Sequence, residues 1–236
     1  MLKHLPNTLT LINLFCGALA VVSIFHLHVE EALIFQGISL VTDFLDGMLA
    51  RKLKVNSPLG IQLDSLADVV SFGVFPGAVV YITLVQALNI DPSGGDWLDR
   101  AMLYPAFILT VFAGLRLGRF NISDDQSDKF IGLPTPAMGM FFTGWLLIQK
   151  AGNIDLLSYL KDSSLIYLFI ILFSYLMDSK IVHFKIKFNK ETLSNPYILL
   201  LLGSIVGMGI FYPYIMLSAS ILLYILFSII SNFVKI

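Results

Sequence analysis

The sequence predicts an all-α, polytopic transmembrane bundle of about eight spans with both termini in the cytoplasm, and three observations carry that expectation. Hydrophobic residues fill 57% of the 236 positions and charged residues only 13%, about half the charge with which a soluble domain covers its surface. Several apolar runs reach the ~20 residues needed to cross a ~30 Å hydrocarbon core. Turn chemistry separates the runs, at Asn56-Ser57-Pro58, Asp91-Pro92-Ser93-Gly94-Gly95, Asn195-Pro196 and Tyr212-Pro213.

Taken in order, the spans are expected near 8–28, 31–54, 60–88, 99–120, 134–150, 162–179, 196–211 and 213–234. Pro213 either separates the last two or kinks one longer helix. The opening Met1-Leu2-Lys3-His4 is short and no small-residue cleavage pattern follows, so the first run reads as a retained span. No repeat, soluble insertion or low-complexity tail interrupts the chain, which reads as one domain over 1–236 with a catalytic hairpin at about 31–88. The single cysteine, Cys16, leaves no internal disulfide and no cysteine-based zinc site. A net charge of −1 leaves no basic face for nucleic acid.

Orientation follows from the cations. With the N-terminus inside, the cytoplasmic side receives Lys3, Arg51, Lys52, Lys54, Arg116, Arg119, Lys129, Lys180, Lys185, Lys187, Lys190 and Lys235. The other side receives only Arg100, Lys150 and Lys161, among acids such as Glu30, Glu31, Asp91 and Asp155. Residues 180–190 alternate apolar and basic side chains and are expected to rest on anionic headgroups. Gly114/Gly118 and Gly203/Gly207 have the GxxxG spacing of closely approaching helices.

Four acids break the apolar pattern. A charge inside a span costs roughly 2.5–3.5 kcal/mol on insertion scales, so Asp43, Asp46, Asp64 and Asp68 need compensation. Asp43 and Asp46 share one face of the second helix, while Gly60, Asp64 and Asp68 step by four along the third. Asp46 and Asp64 each stand about nine residues from the intervening turn, with Asp43 and Asp68 one turn deeper. At 1.5 Å per residue all four lie about 13–20 Å from that turn and converge below the cytoplasmic surface. No Lys, Arg or His lies at that depth on these two helices. The missing positive charge is most simply a metal, and oxygen-only ligands suit Mg²⁺, Mn²⁺ or Ca²⁺. Gly47, Ala50 and Gly60 leave space beside the acids, and Arg51 at the hairpin mouth can contact a phosphate.

The run Asp43-x2-Asp46-Gly47-x2-Ala50-Arg51-x8-Gly60-x3-Asp64-x3-Asp68 resembles the full signature of the CDP-alcohol phosphotransferase family. That resemblance implies transfer of a phosphatidyl group from a CDP-linked lipid to an alcohol, with release of CMP, by a homodimeric enzyme of the inner or plasma membrane. It implies that the four aspartates surround two metal ions, Mg²⁺ or Mn²⁺, bridging the diphosphate. Asp68 would also accept the proton of the attacking hydroxyl, as ligand, base or both in turn. Gly47, Ala50, Arg51 and Gly60 would line the cytidine diphosphate site.

Further segments resemble the serine-accepting branch of that family: residues 5–10, Asp64 to Pro76, Arg116-Leu-Gly-Arg119-Phe-Asn121 and Phe130 to Ala137. Gly118 departs from the alanine usual there. The implied substrates are CDP-diacylglycerol and L-serine. Arg116 and Arg119 are suited to the serine carboxylate or a phosphate, or else snorkel to the headgroups; Asn121 contacts substrate or caps its helix. His4, His26, His28 and His183 have no partner at catalytic spacing and read as interface residues. Neither GxSxG nor HxK occurs, so direct attack is expected over a covalent enzyme intermediate. Glycerol 3-phosphate, inositol phosphate and choline are the alternative acceptors. A divalent-cation transporter is the alternative from another class, but its acids would be dispersed over broken helices in two related halves.

Overall fold

A computed structural model of the chain describes residues 4–55, 57–94, 96–122, 130–152, 158–183 and 196–234. Two antiparallel helices, α1 (Leu5–Phe25) and α2 (Val29–Leu53), open the fold. Pro6 sits in the first turn of α1, where a missing N–H leaves nothing unpaired. Lys54 ends α2 in the left-handed conformation (φ 52°), its N–H returning to the Arg51 carbonyl at 3.3 Å. Ser57 then caps α3 (Pro58–Val69), its hydroxyl accepting from the Gly60 N–H at 2.9 Å. This tight reversal sets the depth of the acids on either side of it. Asn56 lies outside the described residues.

The third rod is continuous from Pro58 to Leu88, but it widens into a π turn at Val70–Val74 before α4 (Phe75–Leu88). The cause is Pro76, which has no N–H to donate. In the π register the Ser71 carbonyl would be served by residue 76, and it accepts instead from Gln36 Nε2 of α2 at 3.0 Å. The Gly73 carbonyl accepts from Thr110 Oγ1 at 2.9 Å. Ser71 and Ser39 hydroxyls both donate to Asn13 Oδ1, at 2.7 and 2.5 Å, so α1, α2 and the π turn meet at one buried polar node.

A short α5 (Trp97–Ala101) and a 3₁₀ turn (Tyr104–Phe107) lead into α6 (Ile108–Ile122). Then come β1 (Phe130–Ile131), α7 (Thr135–Ala151), α8 (Ser163–Asp178), β2 (Val182–His183), α9 (Pro196–Phe211) and α10 (Pro213–Val234). The two-residue strands pair antiparallel, with Phe130 opposite His183. The core gathers Phe141, Phe142 and Trp145 of α7 around Phe173 of α8. Large apolar side chains such as Phe15, Phe44, Val111 and Ile171 face outward. An outer surface of this kind, with five helical stretches among the described residues long and apolar enough to cross a bilayer, makes this an integral membrane protein.

The helices follow the expected order, and Pro213 does divide α9 from α10. Two of the shorter apolar helices, α8 and α9, have 16 residues each. The GxxxG glycines are a correction: a Cβ on Gly114, Gly118, Gly203 or Gly207 would meet nothing within 4 Å. Close approach occurs instead at Gly17 against Ser71, Gly139 against Phe72 (2.6 Å to Cδ1) and Gly144 against Ser218. Lys3, Lys129, Asp155, Lys235 and the part of the basic segment at 184–190 lie outside the described residues.

Candidate active site

Asp43, Asp64 and Asp68 each bring one carboxylate oxygen to within 4.8 Å of the others. Helices α2 and α3 both pack against α1 on either side of the Lys54–Ser57 reversal, and these acids come level there, as the spacing predicts. Asp46 stands apart from this trio. It is 4% exposed, and its Oδ2 accepts a 2.6 Å hydrogen bond from the Thr10 hydroxyl of α1.

The donor set fits a divalent cation. It is all oxygen, three carboxylates converge, and the buried Asp68 Oδ1 has no hydrogen-bond partner among the described residues. A buried carboxylate oxygen left unpaired is rare unless something else compensates it.

Beside the trio opens a cleft of about 480 Å³ between the N-terminal half of α1, the end of α2 and the start of α3. Asp46, Gly47, Ala50, Gly60 and Asp64 line it, which brings together three of the residues expected to meet a nucleotide. A Cβ on Gly60 would stand 3.0 Å from Ser57 Oγ and 3.1 Å from Asn7 Oδ1, so a side chain there fills the cleft floor. Arg51 lies beside Gly47, its Nη1 3.4 Å from where that residue's Cβ would stand. The sequence reading assigned no site role to α1, yet Asn7 and Thr10 also line the cleft. Their i, i+3 spacing put them on one face, but spacing alone does not say which helix that face meets.

The three residues of α6 separate. Arg119 is paired with Asp178 of α8 on an exposed surface. Asn121 donates to Ser65 Oγ at 2.9 Å and so ties α6 to α3 rather than capping its helix. Arg116 turns inward, and its charge reaches Asp68, Tyr224 of α10 and His183. Its Nε is buried with no hydrogen-bond partner among the described residues.

His183 departs most from the sequence reading. It is 1% exposed rather than at an interface, stacked on Tyr224 with ring centroids 5.7 Å apart. Burial lowers its pKa below the ordinary histidine value, and the neighbouring Arg116 charge lowers it further against the hydrogen bond to the Ile181 carbonyl. The ring is therefore neutral at pH 7.

Known proteins share this arrangement of sequence. A model of the CDP-alcohol phosphatidyltransferase family matches residues 3–184. The chain is 35% identical over 139 residues to the CDP-diacylglycerol–serine O-phosphatidyltransferase of Bacillus subtilis, covering 59% of this chain and 73% of that protein. It is 33% identical over 147 residues to the Helicobacter pylori (strain J99) protein of the same name, covering 61% and 58%. A third of that name, from Methanocaldococcus jannaschii, is 33% identical over 141 residues, covering 60% and 59%. The match thus spans less than two thirds of the last two relatives' length.

Proposed function

The chain belongs to the CDP-alcohol phosphatidyltransferase family, and on that premise we propose that it transfers the phosphatidyl group of CDP-diacylglycerol to the hydroxyl of L-serine. One P–O bond forms to the serine oxygen, the P–O bond to CMP breaks, and the hydroxyl proton passes to the protein. The observation that carries this reading is the convergence of Asp43, Asp64 and Asp68 beside a glycine-floored cleft. The three relatives named for serine transfer support the acceptor.

Asp43, Asp64 and Asp68, with Asp46 at the cleft wall, would hold divalent cations, whose positive charge would offset that of the diphosphate and the departing CMP. The chain's own groups do the rest. Gly47, Ala50 and Gly60 admit the nucleotide against the backbone, and Arg51 meets a phosphate at the mouth. Asp68 accepts the hydroxyl proton, its buried Oδ1 having no other hydrogen-bond partner among the described residues. Arg116, also unpaired at Nε, holds the serine carboxylate.

Arg51, Lys52 and Lys54 cluster at the hairpin beside the cleft, which by the positive-inside rule turns the site to the cytoplasm. The homodimer carries over from the family resemblance. CMP release from CDP-diacylglycerol, measured with Mg²⁺ or Mn²⁺ and each acceptor in turn, tests the reading. Serine is expected to stimulate release; stimulation by glycerol 3-phosphate but not by serine overturns the assignment.

A further inference from the structure

We propose that His183 belongs to the acceptor site, its Nε2 receiving a hydrogen bond from the ammonium group of serine while Arg116 holds the carboxylate and Asp68 faces the hydroxyl. The proposal deepens the serine reading and rests on it. Three side chains from three parts of the chain each bury a polar atom with no hydrogen-bond partner among the described residues: Asp68 Oδ1, Arg116 Nε and His183 Nε2. Nine buried side-chain atoms among the described residues lack a hydrogen-bond partner, and these three are set apart because the Arg116 charge reaches both Asp68 and His183. Buried polar atoms are nearly always paired, so the three point to a ligand. Their chemistry is complementary to a hydroxy amino acid: a cationic donor for the carboxylate, an acceptor for the hydroxyl proton, and an acceptor for the ammonium.

The histidine is prepared for that role. Its Nδ1 donates to the Ile181 carbonyl at 3.1 Å, which fixes the tautomer and leaves a bare lone pair on Nε2. Pairing of His183 with Phe130 and stacking on Tyr224 hold the ring in place. Burial and the Arg116 charge both keep it neutral, so it can accept rather than repel a cation. Asp46 and Asp64 line the nucleotide cleft, whereas Asp68, Arg116 and His183 do not. Three contacts around one carbon also distinguish L-serine from its enantiomer.

The test uses the full chain in CDP-diacylglycerol vesicles with Mn²⁺, comparing L-serine with 3-hydroxypropanoate, the same hydroxy acid without the amine. The unaltered protein is expected to prefer serine by about tenfold or more in kcat/KM, the size of one hydrogen bond to a charged group. His183→Leu is expected to raise the serine KM by about tenfold on the same ground, to leave the CDP-diacylglycerol KM unchanged and to erase the preference. His183→Gln keeps an acceptor at that reach and is expected to restore it. Equal use of the two acceptors by the unaltered protein overturns the proposal, and that arm stands even where a variant fails to fold. Retention of the full preference by His183→Leu also overturns it. Absence of serine-stimulated CMP release from the unaltered protein would instead remove the serine reading beneath it.

Discussion

Thr10 of α1 donates a 2.6 Å hydrogen bond to Asp46 of α2, so a helix without an acid of its own orients one of the four carboxylates. Asp46 is nearly fully buried, and its charge needs that donor. Thr10→Val is expected to lower stability by about 1–3 kcal/mol and to weaken CMP release, while Thr10→Ser retains both. Thermal unfolding and turnover of the two variants check this.

Chelation of divalent metal is expected to abolish CMP release, and added Mg²⁺ or Mn²⁺ to restore it. Asp68→Asn is expected to reduce turnover by about 10²–10⁴, the range of a lost general base. Metal binding to this variant, followed by calorimetry, separates the roles of Asp68. Retained binding with lost turnover identifies a base, and loss of both a ligand.

The two arginines of α6 are expected to part company. Arg119 forms an exposed ion pair with Asp178, and such pairs contribute about 0–1 kcal/mol. Arg119→Ala is therefore expected to shift melting slightly and to leave the serine KM in place. Arg116→Ala removes a cation in reach of Asp68 and is expected to raise the serine KM by about tenfold or more. Steady-state kinetics in serine at saturating CDP-diacylglycerol separate the two.

Glycines divide in the same way. A Cβ on Gly47 would meet only the tip of Arg51, at 3.4 Å, so Gly47→Ala is expected to fold normally and to raise the CDP-diacylglycerol KM. A Cβ on Gly139 would stand 2.6 Å from the buried Phe72 ring. Gly139→Ala is expected to cost about 1–3 kcal/mol of stability by overpacking, with the loss read in thermal unfolding.

Orientation is open to direct labelling, because the chain has one cysteine and it is buried. Lys52→Cys is expected to react with a membrane-impermeant maleimide only after the cytoplasmic face is opened, and Ser93→Cys from the outer face of intact cells. The reverse pattern would put the site on the other side.

The four aspartates were legible because each cue is local. Spacing of three or four puts acids on one helix face, and a short reversal levels two neighbouring helices. The π turn was not legible, since Pro76 marks a disturbance without saying that Gln36 will take over the freed carbonyl of Ser71. Arg116 and Arg119 looked alike in sequence for a similar reason. Both are cations, one turn apart near the end of α6, and which one turns inward depends on where α8 and α10 pack.

By itself the sequence determined the membrane class, the helix order and three of the acids that converge, because hydropathy, helical period and turn chemistry act within a few residues. Only the tertiary structure decided that Thr10 holds Asp46, that Asp178 pairs with Arg119, and that His183 is buried against Tyr224 rather than lying at an interface. Each of those depends on contacts between helices far apart in the chain. A lone residue's spacing has no term for them.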